Sequence, residues 1–194
     1  MRVRLVLAST VIALLATACG DDAAPPTTTV PATSATTLAT GTPAVCGPLA
    51  EVVRMSDEFS LRLNGVMADI YAAAATGDGL SADAEAELLD DFRGAFAEAS
   101  ELMAELIGHY DDAAALAEPE LAADIVAVRE ATTMLMPILS EAVEDADTFD
   151  EFDTRLDAAL TDPAVAETAM AGGLAALSID EFSIPECGFK VSND

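Results

Sequence analysis

Tryptophan is absent from the 194-residue chain, tyrosine occurs only at positions 71 and 110, and His109 is the single histidine. Aromatic platforms that grip sugars therefore have almost no material, which disfavours glycoside hydrolysis despite the many carboxylates. One histidine cannot supply the two Glu-x-x-His motifs of a carboxylate-bridged di-iron bundle. No G-x-S-x-G, G-x-x-x-x-G-K-[ST] or G-x-G-x-x-G segment occurs, so nucleophile-elbow, P-loop and dinucleotide signatures are all missing. Ser100 lies too close to His109 in sequence to suggest a nucleophile and its base. The expectation is a non-enzyme, with no catalytic, cofactor-binding or metal-ligating residue to nominate.

Cations are equally scarce: Lys plus Arg total 8 against 35 Asp plus Glu, for a net charge of −27. Nucleic-acid binding depends on cationic contacts to phosphate and is disfavoured. Anionic lipid headgroups are repelled as well. A solvated acidic surface accounts for the charge without a specific cation-dependent role. His109, followed by Tyr110 and two aspartates, reads as a cation placed near a helix C-terminus, where the dipole favours it.

Long apolar runs are also missing. The best is Leu5 to Ala18, fourteen residues behind Arg2 and Arg4. A span needs ~20. A positive start, a short apolar stretch and Ala16-Thr17-Ala18 make an export signal over residues 1–18, cleaved before Cys19. Loss of the two arginines deepens the net charge from −27 to −29. The same residues resemble a bacterial lipobox, in which small residues precede a cysteine that receives a diacylglyceryl group. Its usual Leu stands three places before the cysteine; here Ala16 does, with Leu15 one place further back.

Cysteine parity points the same way. Cys19, Cys46 and Cys187 are the only three, and an odd count in an exported chain leaves one to be modified, paired between molecules or free. Cys46 opens and Cys187 closes the domain, which makes them partners in an oxidising compartment. Lipid attachment at Cys19 accounts for the third, and two acyl chains hold a protein at a membrane where one is marginal. The competing reading is a secreted protein with an exposed Cys19 thiol. The expected location is the outer face of the cell membrane, by way of the lipid anchor. Residues 19–45 then form a Thr/Pro-rich tether that cannot bury enough surface to order itself. Stretched, it reaches on the order of 80 Å, and its composition suits either a bare spacer or an O-glycosylated stalk.

Residues 46–194 are one domain's worth of helix-favouring Ala, Leu, Glu and Asp. Leu49, Val52, Val53, Ser56, Phe59, Leu63, Val66, Met67 and Ile70 follow Gly47-Pro48 at helical spacing, up to the stop at Gly77-Asp78-Gly79. Ser81 N-caps a second helix, whose stripe runs from Leu88 through Phe92, Phe96 and Met103 to Tyr110. A third begins at Glu118-Pro119, with Pro137 expected to kink it. Thr148 and Glu151 form a capping box for a short fourth helix. Asp162-Pro163 starts another, carrying Val165, Met170, Leu174 and Leu177 inward, weakened at Gly172-Gly173 and followed by a final turn towards Cys187. The methionines, Met170 among them, read as core filler. The expected fold is all-α: an antiparallel four- to five-helix bundle closed by one Cys46–Cys187 disulfide.

Two acidic clusters fall short of a calcium site. With Asp78 at position 5 of an EF-hand loop, Ala74 and Thr76 occupy the positions that need oxygen ligands. The Asp145 to Asp153 cluster lacks the loop glycine and suits helix capping better. "VCGPL", "DPAVAETA", "IDEF" and "ECGF" resemble segments of uncharacterised actinobacterial lipoproteins, which share the signal, the tether and a disulfide-closed helical domain. The resemblance implies a cell-envelope helical domain and brings no activity and no functional residues. The expected function is thus a non-catalytic envelope lipoprotein that presents an acidic bundle to a protein partner or serves a structural role. The alternative is a bundle binding a small ligand or divalent cation around Tyr110, Met103 and Pro137.

Overall fold

The computed structural model describes residues 41–75 and 81–192; the export signal, Cys19, most of the tether and the Asp78-Gly79 pair lie outside them. Five helices are described: α1 (Cys46–Ala75), α2 (Ala82–Leu116), α3 (Pro119–Asp145), α4 (Phe149–Leu160) and α5 (Pro163–Cys187). The expected all-α bundle is the observed one. Local chemistry sets its boundaries. The Ser81, Thr148 and Asp162 side chains accept from the backbone N–H groups of Ala84 (3.3 Å), Glu151 (3.2 Å) and Ala164 (2.8 Å), satisfying donors a helix start leaves orphaned. Helix α1 opens at Cys46, ahead of Pro48, because proline is tolerated within a first turn. Packing starts at Val45, which is buried.

The four long helices alternate in direction. Arg93 and Arg129 reach from α2 to Val143 and back from α3 to Asp111, so α2 and α3 are antiparallel. Ser178 donates to Asp124 (2.6 Å) while Gly172 lies against Ala131, so α3 and α5 are antiparallel too. Short α4 bridges α3 and α5 at one end, burying Phe152 and Leu156. The other end is closed by the disulfide between Cys46 and Cys187, whose Cα atoms are 5.4 Å apart. Leu49, Met55, Leu89, Ile125 and Ile179 are fully buried in the shared core. Helices α1 and α5 barely touch, so the bundle is packed on three sides and loose on the fourth.

Three expectations are corrected. The final turn is part of α5, which passes unbroken through Gly172, Gly173 and Pro185 to Gly188, whose positive φ of 81° ends it. His109 is not near a helix end, since α2 continues to Leu116, two turns beyond it and outside the dipole's reach. Most consequentially, Met170, Leu174 and Leu177 face solvent, 65%, 64% and 54% exposed. The residues α5 buries are small: Gly172, Ala175 and Ser183, with Ile179 and Asp180. The reason is the close crossing of α5 over α3. A Cβ at Gly172 would strike the Ala131 Cβ well inside contact distance, with the Ala127 carbonyl 3.5 Å away. Tertiary packing here outweighs the poor helix propensity of two adjacent glycines.

Adjacent substitutions should therefore act in opposite directions. Gly172→Ala forces the helices apart and is expected to cost about 1–3 kcal/mol. Gly173→Ala meets nothing within 4 Å and is expected to add about 0.5–1 kcal/mol by removing a helical glycine. Urea unfolding of both variants checks this; equal signs would refute the close crossing.

Candidate functional site

Small residues recur on α5 at positions 169, 172, 173 and 176, a helical spacing that puts them on one face. That face lets α5 approach α3, and it leaves space where larger side chains would have filled the loose side of the bundle. The space is a cavity of about 380 Å³ bounded by all four long helices and the chain after α5. Its walls are Phe59 from α1, Met103, Leu106 and Tyr110 from α2, Leu135 from α3 and the small residues of α5; exposed Leu177 marks its mouth. None of the lining residues is charged. Of the positions expected around a ligand site, the fold brings Tyr110 and Met103 together; Pro137 is exposed and outside the lining, within a continuous α3.

The polar groups in the wall differ in what they hold. Thr132 Oγ1 donates to the Val128 carbonyl (3.0 Å), and Ser192 Oγ donates to Asp180. Tyr110 is 6% exposed, and its hydroxyl has no hydrogen-bond partner among the described residues. Burial pushes the phenol above its ordinary pKa, because the charged phenolate is the form desolvation penalises. The consequence has a definite sign. An unfolded tyrosine releases its proton near pH 10, whereas folded Tyr110 keeps its own to higher pH. Above pH 10 the folded chain thus holds the extra proton, and stability is lost as pH rises, by about 1.4 kcal/mol per unit for this group. Urea midpoints followed upward from about pH 10 should fall more steeply in the wild type than in Tyr110→Phe. Parallel curves would show that Tyr110 is not buried.

The cavity floor was not legible in sequence. After Gly188 the chain reverses and lays Val191, itself buried, into the cavity lining. Asp180, 4% exposed, holds it there: its carboxylate accepts from the N–H groups of Val191 (2.6 Å) and Ser192 (2.8 Å) and from the Ser192 hydroxyl. Such charge-assisted bonds are about twice as strong as neutral ones. In the sequence nothing separates buried Asp180 from its exposed neighbour Glu181.

The acidic clusters resolve into structural roles. Glu151 accepts from the Asp147 N–H (3.0 Å), completing the capping arrangement one residue earlier than Thr148. Glu85 reaches across to accept from the Phe149 N–H (3.0 Å), linking the starts of α2 and α4. Asp145 pairs with Arg155 (3.6 Å). Burial, with Asp150 adding repulsion, raises the Asp153 carboxyl above its ordinary range. Among the described residues no group of three or more His, Cys, Asp or Glu is placed to hold a metal ion. A second depression of about 410 Å³ lies beside Glu87, Asp90 and Asp147, but Arg93 at its edge is already committed to the Val143 and Ala146 carbonyls.

The exposed face of α5 carries Met170, Leu174, Leu177 at the mouth of the cavity, and Ile184, with Glu181 at the intervening position. Their spacing of four, three and seven puts them on one face of the helix, interrupted by Glu181. No helix among the described residues is long and apolar enough to cross a membrane. Comparison with family models, curated proteins and solved structures finds no match to the chain.

Proposed function

We propose that the chain is a non-catalytic lipoprotein of the cell envelope, anchored through Cys19 and presenting its helical domain on the Thr/Pro-rich tether to a protein partner. The observation that carries the reading is the stripe on α5, where four large apolar side chains stand at 52–65% exposure on a surface otherwise dominated by acids. Large apolar side chains clustered in water mark interaction sites more often than scattered ones do. A helix presenting such a stripe is matched by an amphipathic helix from the partner, packed stripe to stripe. The net charge of −27 selects a partner helix flanked by Lys and Arg and discourages nucleic acid and anionic lipid.

Photo-crosslinking in intact envelope tests this. A crosslinking side chain at Leu174 should give one discrete protein adduct, and the same group at exposed Glu141 on α3 should not. A ladder of unrelated adducts at both positions, or none at Leu174, would rule out the docking face. Mass measurement of the mature N-terminal peptide tests the anchor separately: a Cys19 lacking diacylglyceryl mass would make the protein a secreted one.

A further inference from the structure

We infer that the cavity under α5 is a binding site for one uncharged aliphatic chain bearing a single oxygen, with that oxygen on the Tyr110 hydroxyl. Size sets the first limit. A dry cavity of ~150 Å³ accepts one benzene; the 380 Å³ here is about two and a half times that, room for on the order of fifteen carbons at similar packing. It lies within the range of small-ligand sites, which are mostly apolar with a few placed polar groups.

Lining chemistry sets the second. No Lys, Arg or His faces the cavity, so a carboxylate or phosphate would be buried without a counter-ion, inside a protein of net charge −27. A cationic head finds no carboxylate in the wall either, because Asp180 lies behind Ser192 with its oxygens engaged. The ligand is therefore neutral. Tyr110 sets the third: its side chain is more than nine-tenths buried and lines the cavity, and its hydroxyl makes no hydrogen bond among the described residues. A ligand hydroxyl, ester or ether oxygen would give that hydroxyl a hydrogen-bond partner inside the cavity.

Calorimetric titration of the full mature chain, carrying Cys19→Ser so that no attached lipid competes, tests the inference with three probes of equal chain length: 1-decanol, decanoate and decyltrimethylammonium. The alcohol should bind one to one and raise the melting temperature, with both ions at least tenfold weaker. Tyr110→Phe should weaken 1-decanol about three- to tenfold. Gly173→Leu directs a side chain into the open space beside Gly173; it should abolish binding while leaving the ligand-free melting temperature at or above that of the wild type. No 1-decanol binding by folded wild type, an ion bound as tightly as the alcohol, or unchanged binding in a folded Gly173→Leu would each overturn it. Because the readout is ligand binding by the isolated chain, these outcomes are independent of the crosslinking result at Leu174.

Discussion

Replacing Cys46 and Cys187 by alanine is expected to lower the free energy of unfolding by about 5 kcal/mol, since the bond closes a loop of 141 positions and longer loops restrict the unfolded chain more. That is comparable to the whole stability of a marginal domain. Helices α1 and α5 barely touch, so the loose side of the bundle is free to open when the covalent link is removed, and that freedom of the folded state offsets part of the effect. Urea unfolding of the double variant against the oxidised wild type measures the change. A difference below about 1 kcal/mol would mean that the unfolded chain is already restricted, or that the folded bundle gains comparable freedom when the link is cut.

The second large effect belongs to Phe92→Ala, expected to cost about 3–5 kcal/mol. Phe92 is 3% exposed and meets Phe152 edge-on, ring centres 5.6 Å apart, with Phe96 at 6.3 Å. It therefore joins α2 to the short α4, which buries little else besides Leu156. Truncation removes transfer energy, leaves a cavity, and loses an aromatic contact worth about 0.5–1.5 kcal/mol. Amide exchange should report faster opening in α4 than in α1. Since Phe92 does not line the cavity beside Tyr110, the affinity of the folded variant for 1-decanol should stay within error of the wild type. Uniform loss of protection across all helices would show that α4 is not a separately detachable element.

Features with a local cause could be read from the chain directly. Ser81, Thr148 and Asp162 cap helices because a capping side chain needs only the next two or three N–H groups. The stripe of α2 was equally plain, since Leu89, Phe92, Phe96, Met103, Leu106 and Tyr110 alternate with acids that fix which face turns inward. The pairing of Cys46 with Cys187 followed from parity. The orientation of α5 did not. Its residues are apolar on nearly every side, so periodicity offers no unique phase, and choosing the larger side chains as the buried set put Met170, Leu174 and Leu177 in the core. What fixes the phase is Ala131 on a different helix, against which only a glycine fits. The cavity inherits the same difficulty: Tyr110 and Met103 were visible as candidates, but the space between them depends on small residues some 60–70 positions away. Asp180 was invisible for a related reason, because its partners belong to a chain reversal that no periodic pattern announces.

The position of the disulfide also governs how the domain bears a load. A pull delivered through the chain preceding Cys46 reaches the first residue of α1 and, in the same residue, the covalent bond to the end of α5. Helix α1 cannot then be peeled from its neighbours one turn at a time from that end, since the tension divides between two long helices drawn along their axes. Where the opposing load falls on α2 or α3, force must shear both helices against them together, which engages many side chains at once instead of a few in succession. A domain tied in this way resists traction on the chain before Cys46 better than one held there by α1 alone, and reduction of a single bond would convert it from a shear-loaded body to one that unzips.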